Sequence, residues 1–256
     1  MNRIAQIVVL MVFPIWLSAQ LETAADFRRQ VYDYEFTGGV MLHTRGFGTN
    51  LRYLKFVDGY NKIGAELDIV GIRHPKEIKF PSQYYYSDAR SFVYGKLNNL
   101  NVIRLGVGRE RILVDKTDQG SISINWLLFG GASFGLLKPI YLEIQNESPT
   151  GRPRTTTERY DPAIHDFQDI YGQAPFFTGF SDMKLRMGVY AKTGFSFDYN
   201  WHDNKVTTLE VGMIVDYFPQ WFGLYPEGGV PIMFQAENYE VWVQLYCTIN
   251  FGKKWN

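Results

Sequence analysis

The chain is 256 residues long and balances 26 Lys plus Arg against 26 Asp plus Glu, so no global field draws it to nucleic acid or to an anionic surface. Its single cysteine, Cys247, excludes an intrachain disulfide framework and a cysteine-based zinc site. Aromatics reach 16 % while mean hydropathy is only −0.19, which suits alternating strands better than an Ala- and Leu-rich α/β enzyme.

Residues 1–19 read as a signal peptide. Asn2 and Arg3 form a short charged region, Ile4 to Leu17 the apolar stretch, and Ser18-Ala19-Gln20 a small-residue cleavage point after Ala19. The apolar stretch contains Gln6 and Pro14 and is shorter than the roughly twenty residues of a membrane helix. Residues 20–35 are polar and read as a periplasmic lead-in, either a short helix or a disordered segment.

From Phe36 the alternation is that of strands, whose successive side chains point to opposite faces. The first strand, 36–44, sets Val40 and Leu42 against Met41 and His43. Arg45-Gly46-Phe47-Gly48 reverses the chain into a second at 48–57, although 36–57 as one bent strand fits as well. The third, 61–72, sets Ile63, Ala65, Leu67 and Ile69 against Lys62, Glu66 and Asp68. Residues 73–89 hold two prolines and form a loop. Strands at 90–98 and 101–113 follow, joined by a tight turn at Asn98-Asn99-Leu100; in the latter Ile103, Leu105 and Val107 oppose Arg104 and Glu110.

The sixth strand, 119–129, sets Ile122, Ile124, Trp126 and Leu128 against Ser121, Ser123 and Asn125. Gly130-Gly131 turns the chain into a seventh at 133–145, and a long loop follows at 146–182. The eighth strand, 184–200, is followed by a turn at His202-Asp203-Asn204 and a ninth strand at 205–217. After a third long loop, 218–236, the closing strand occupies Asn238 to Asn256. There Tyr239, Val241, Val243, Leu245, Cys247, Ile249 and Phe251 form an apolar face. Glu240, Trp242, Gln244, Tyr246, Thr248 and Asn250 form the mixed one.

These elements predict an all-β fold: a transmembrane antiparallel up-and-down β-barrel of about ten strands, within a range of eight to twelve, over residues 36–256. All three long loops fall on odd-numbered connections, as a meander barrel with periplasmic turns and longer outer loops requires. Phe36, Trp126, Tyr199, Trp201, Tyr217, Tyr239, Phe251 and Trp255 lie near strand ends, as interfacial aromatics do. Lys138 falls on the lipid parity near mid-membrane, where a bare lysine costs roughly 2–4 kcal/mol. Pro139 follows it and cannot donate to a ladder, so a bulge that turns Lys138 inward is expected.

The inward parity collects Arg52, Lys62, Lys96, Arg104, Lys184, Arg186 and Lys192 with Glu66, Asp68, Glu110, Glu143, Asp198, Glu210, Asp216 and Glu240. Opposite charges in near balance predict a lumen filled by ion pairs, because a barrel of eight to ten strands is narrow enough for side chains to fill. A selective pore would instead show one sign at a constriction. His43 lies inward, His74 and His165 in outer loops and His202 in an inner turn. A hydrolase built on His43 with Ser123 or Ser196 carries no supporting motif, and His165-Asp166 with Asp169 reads as solvated loop rather than cation site. No HExxH, P-loop or dinucleotide fingerprint occurs, and no cofactor is expected.

The final strand resembles the terminal aromatic strand by which bacterial outer-membrane barrels are recognised and inserted, with Tyr246, Ile249, Phe251 and Trp255 as its signal residues. With Ser18-Ala19-Gln20, Tyr94-Gly95-Lys96-Leu97-Asn98, Gly135-Leu136-Leu137-Lys138-Pro139 and Asn250-Phe251-Gly252-Lys253-Lys254-Trp255, the chain resembles small outer-membrane β-barrel proteins of Bacteroidota, the broad group containing the PorT-like proteins. The resemblance covers nearly the whole mature chain. It implies an outer-membrane location, outer-membrane lipid and the barrel-assembly machinery as partners, and no catalytic residues. Its PorT-like members are implicated in secretion-system assembly. The reading is thus a structural or partner-binding barrel whose loops 73–89, 146–182 and 218–236 recognise a protein. A small-solute channel, a barrel enzyme acting on lipid or protein, and a soluble periplasmic ligand-binding barrel are the alternatives.

Overall fold

A computed structural model describes residues 32–82, 89–115, 121–146, 154–199, 204–219, 229–234, 236 and 238–256. Residues 1–19, read as a signal peptide, most of the expected lead-in, Trp201 and His202 lie outside them. In chain order the strands are β1 (Tyr34–His43), β2 (Gly46–Phe56), β3 (Asn61–Ile72), β4 (Lys79–Phe80), β5 (Phe92–Val93), β6 (Asn98–Val114) and β7 (Ser123–Pro139). There follow β8 (Tyr141–Asn146), β9 (Arg154–Arg159), β10 (Ile170–Gln173), β11 (Lys184–Asp198), β12 (Lys205–Tyr217) and β13 (Val241–Trp255).

Eight of these close into an antiparallel barrel in the order β1-β2-β3-β6-β7-β11-β12-β13, each paired with its neighbour along the chain. The ring is completed by β1 against β13, in register from Tyr34↔Trp255 to His43↔Tyr246. Tyr34 and Glu35 therefore belong to the barrel and not to the lead-in, and 36–57 is two strands. Alternation is inverted relative to a water-soluble sheet. On β13 Trp242, Gln244, Tyr246, Thr248 and Asn250 are buried inside, whereas Leu245 and Phe251 are exposed outside.

The count is eight rather than ten for two reasons. Residues 90–98 contribute only the short β5, while Asn98 and Leu100 already pair with Pro139 and Leu137 as the start of β6. Gly130-Gly131 is not a turn: it sits mid-strand in β7, Gly131 between Gly106 and Tyr190 and Gly130 between Val107 and Ala191. Gly131 faces inward, where a Cβ would lie 2.1 Å from the Leu105 carbonyl oxygen, and its cross-strand partner Gly106 is as crowded. A Cβ on Gly106 would lie 2.1 Å from the Tyr190 hydroxyl, so this position leaves room for an inward aromatic ring that no larger residue allows.

The loop segregation survives the smaller count. Connections 57–60, 115–122 and 199–204 lie at one end; 73–97, 140–183 and 218–240 lie at the other, beside the two-residue turn 44–45. The first tight turn has a local cause: Asp58 Oδ1 accepts the amides of Tyr60 at 2.8 Å and Asn61 at 2.7 Å.

The long-loop end is folded, not merely connecting. A three-stranded sheet in the order β10-β8-β9 and the β4–β5 pair stand beyond the barrel. Between them Phe92, Ile140, Leu142, Ile144, Tyr160 and Ile170 form a second apolar core, with Phe80, Leu97 and Phe167 against it. His165, read as part of a solvated loop, is buried here: its Nδ1 accepts the Asp161 amide at 3.0 Å and its ring stacks on Tyr160.

Candidate functional site

Alternation sends every second residue of eight strands into one narrow space, so their polar groups must satisfy one another. From the short-turn end toward the mouth they form ranks. Lys62 Nζ donates to Glu35 at 2.8 Å and Glu110 at 3.0 Å, and Asn125 donates to Glu110 at 2.8 Å. Next, the Arg52 guanidinium bonds both oxygens of Glu210, at 2.8 and 3.1 Å, and Glu66 at 3.2 Å. Lys192 lies between Glu66 at 3.1 Å, Asp68 at 3.4 Å and Glu210 at 3.7 Å. Nearest the mouth, Arg104 grips Asp216 through Nε and Nη2 at 2.8 and 2.7 Å, with Asp68 at 3.8 Å.

Neutral groups complete the shell. Ser133 at 2.7 Å and Gln244 at 3.1 Å donate to Asp216, and Asn50 donates to Asp68. Tyr190 at 3.0 Å donates to Glu66 and Tyr246 at 2.7 Å to Glu210. All these ions are nearly or wholly buried. Two-point guanidinium–carboxylate geometry is the form in which buried charges best offset their desolvation.

The rings of Tyr190 and Tyr246 also belong to the layer above. There Met41, Val70, Ile72, Leu100, Val102, Leu137, Ile214, Phe218 and Trp242 meet Val230 and Ile232, which descend from the loop 218–240. That segment is stitched in by backbone bonds: Leu97 donates to the Ile232 carbonyl at 2.8 Å and Phe234 to the Gly95 carbonyl at 2.7 Å. Asn98 Nδ2 adds a bond to the Pro231 carbonyl at 2.8 Å. Beside it His74 is stacked on Tyr239, its Nδ1 accepting the Lys76 amide, and the guanidinium of Arg45 lies 5.0 Å from the Trp242 ring centroid. Burial and the nearby Arg45 lower the His74 pKa.

Of the charges assigned to the interior, Arg52, Lys62, Glu66, Asp68, Arg104, Glu110, Lys192, Glu210 and Asp216 come together there. Arg186 is buried inward at the mouth, and Asp198 holds Lys254 at 3.3 Å at the opposite end. Four do not join them. Lys96 lies in a loop, where its bond to Glu77 at 2.7 Å opposes the lowering of its pKa by burial. Lys184 is exposed at the rim, and Glu240 is partly exposed just before β13, with Glu143 out on β8. Glu35, Tyr190, Asn50, Asn125, Ser133 and Gln244 complete the arrangement without having been singled out. Each lies on the inward parity of its strand, which is the signal that could have found them.

Tyr246 differs from the other terminal signal residues. It faces inward, whereas Ile249, Phe251 and Trp255 face out, and Trp255 stacks with Tyr34. Lys138 also departs from expectation. Its register partner Asn99 falls in unbroken pairing, so no bulge turns it inward. It is the sixteenth residue of the seventeen-residue β7 rather than near the start of a short strand, hence at the rim and not at mid-height. There it is covered by the rings of Phe176 and Phe180.

His43 accepts the Arg45 amide at the mouth, while Ser123 and Ser196 stand toward the short-turn end, so neither candidate serine is brought to that base. Among the described residues no group of three or more His, Cys, Asp or Glu is placed to hold a metal ion.

No family model matches the chain, and no curated protein matches it. Among solved structures it is similar to Ail, the attachment invasion locus protein of Yersinia pestis, in complex with the heparin analogue sucrose octasulfate: 10 % identity over 88 % of this chain and 99 % of that one, TM-score 0.38. It is similar to Neisserial surface protein A at 8 % identity, over 88 % of this chain and 96 % of the other, TM-score 0.39. The TodX monoaromatic hydrocarbon channel, as its deltaS2 mutant, follows at 9 % identity, over 89 % and 91 %, TM-score 0.26. Likeness at this level carries nothing about what this chain binds.

Proposed function

We propose that the chain is an outer-membrane barrel with a closed lumen that acts through its folded loop end, as a structural or partner-binding protein. Support for membrane residence comes from the outer wall. Val107 is 70 % exposed, Leu42 62 % and Leu245 60 %, and exposed apolar residues stand outward on the seven barrel strands other than β7, whose outward residues are mostly half-buried. An apolar surface encircling the molecule far exceeds the few hundred Å² that a soluble monomer leaves in water. A closed barrel leaves no unpaired edge, which hydrocarbon demands. The secretory signal read at 1–19 and the segregation of long loops to one end favour the outer membrane, with those loops outside. The kinship with PorT-like proteins remains with the sequence stretches that suggest it, and a place in secretion-system assembly is part of this reading.

The observation that carries the closed lumen is the burial of Val230 and Ile232 in one apolar cluster with Trp242, Phe218, Ile72 and Leu100, at the loop-side ends of the strands that carry the Arg104–Asp216 pair. Ions entering from the loop end meet an apolar layer and then a rank of mutually satisfied charges. Planar-bilayer recording of the purified chain tests this, with no conductance steps expected. Regular steps would favour the small-solute channel and overturn the closed lumen, yet leave the membrane placement standing. Release of the chain from membranes by carbonate would overturn the placement itself. Isolation of native complexes tests the role of the loops: a partner lost when β8–β10 are replaced by a short linker supports it, and a partner retained refutes it.

A further inference from the structure

Residues 174–183, between β10 and β11, carry a cluster that neither the lumen nor the mouth uses. Phe177 is 82 % exposed, Phe176 67 % and Phe180 44 %. The three rings pack on one another, with centroids 5.4, 5.5 and 6.0 Å apart, and still present their outer faces to the surroundings.

The cluster is fastened at both sides. Lys138, on the outward parity of β7, places Nζ 4.4 Å from the centroids of Phe176 and Phe180 and donates to the Phe176 carbonyl. On the other flank the Tyr141 hydroxyl donates to Asp182. Between them Gly179 turns the chain at φ +83°, where a Cβ would lie 2.6 Å from the Tyr141 ring. The result is a held apolar knuckle rather than a loose tip.

Its position decides what it meets. Lys138 is the next outward position after Phe134 and Leu136 on β7, and Leu185, Met187 and Val189 stand on β11 alongside. The knuckle thus continues the outward apolar rows of these strands past the rim, on the flank of the barrel and not over its axis. We propose that Phe176, Phe177 and Phe180 insert into the outer leaflet at the boundary of headgroups and acyl chains, anchoring the β7–β11 side of the barrel in lipid. Lys138 is the strut that holds the rings at that level: its charge faces two aromatic π-systems and a carbonyl instead of hydrocarbon. The inference rests on the membrane placement proposed above.

A lipid-quenching experiment tests it on the full chain in vesicles. Cys247 faces outward, so a Cys247→Ala background accepts single labelling sites at Phe177→Cys, at Val107→Cys in the outward apolar wall, and at Thr157→Cys on β9. Each carries the same environment-sensitive fluorophore, and the quenchers are phospholipids bearing nitroxides close below the headgroup. The Phe177 label is expected to be quenched at least about half as strongly as the Val107 label, as interfacial aromatics would be, with Thr157 near background. Adding Lys138→Gln is expected to reduce quenching at Phe177 about twofold while leaving Val107 unchanged, because the strut and its cation–π contacts are lost. Quenching at Phe177 no greater than at Thr157, with Val107 strongly quenched, overturns the proposal and leaves membrane residence intact. Absence of quenching at Val107 as well overturns both. A photo-crosslinker at position 177 that captures one discrete protein in intact cells, instead of lipid, also overturns it.

Discussion

Halfway along the barrel the interior is charge against charge, with Arg52, Lys192 and Arg104 set among Glu66, Asp68, Glu210 and Asp216. Toward the mouth the same bore holds Trp242, Phe218, Leu100, Val102, Val230 and Ile232. The two fillings obey different rules. In the polar layer each strand contributes alternate residues fixed by register, and no member can be removed without stranding a partner. The apolar layer borrows residues from a loop, and dispersion contacts there are interchangeable provided volume is kept. Tyr190 and Tyr246 join the two, with rings in one and hydroxyls in the other. A narrow barrel thus needs its fixed-partner layer where strands alone supply the filling, and tolerates a replaceable one where loops can reach.

Five measurements sharpen or break this contrast. Arg104→Ala removes the cation held by Asp216 and leaves that buried carboxylate without one, with an expected loss of about 3–5 kcal/mol in urea unfolding from detergent. A loss no larger than that of a surface residue would show that the layer tolerates vacancy after all. Ile232→Ala is expected to cost about 2–3 kcal/mol, in the lower part of the range for such truncations because a loop can settle into the space. Ile232→Leu should cost under about 1.5 kcal/mol, since volume is conserved; a larger penalty would make the apolar layer as specific as the polar one.

Tyr246→Phe keeps the ring in the mouth layer but deletes the bond to Glu210, for an expected loss of about 1.5 kcal/mol. Were the hydroxyl idle, its removal would leave the unfolding midpoint unmoved. The smallest effect concerns His74. Burial and Arg45 lower its pKa below the ordinary imidazole value near 6.5, with Glu77 opposing and Lys76 adding to the lowering. The unfolded chain then binds the proton more readily. The contribution of neutral His74 is therefore present above about pH 6.5 and is lost as pH falls from there toward the folded-state value. The urea midpoint is expected to drop modestly on acidification through that window, and His74→Gln should flatten the drop. An equal drop in the variant would assign the sensitivity elsewhere.

Much of this was legible in the sequence because parity is a local property. Val40 and Leu42 outward with Met41 and His43 inward, or Leu105 and Val107 outward with Arg104 inward, follow from alternation alone. What was missed depends on neighbours that sequence does not display. Gly130-Gly131 looks like a turn until β6 is seen to run so close that a Cβ on Gly131 would lie 2.1 Å from the Leu105 carbonyl oxygen. Lys138 calls for a bulge on local grounds until a loop some forty residues away lays two phenylalanines over it. Glu35 was set aside with the polar lead-in because nothing local marks it as the partner of Lys62. Ion-pair partners such as Arg52 and Glu210, separated by 158 positions, have no sequence signature beyond belonging to inward faces.

The pairing of β1 with β13 has a consequence for assembly. Arg52 and Arg104 stand in the first half of the chain and find their carboxylates on β12, while Glu210 also waits for Tyr246 on the final strand. A nascent barrel therefore leaves Arg52 without Glu210 and Arg104 without Asp216 until β12 arrives, and Glu210 without the Tyr246 hydroxyl until β13 does. Closure becomes one late event of high sequence separation, the kind of step that is slow without assistance. Until that event one edge of β1 has no strand beside it, because the keystone is the piece supplied last.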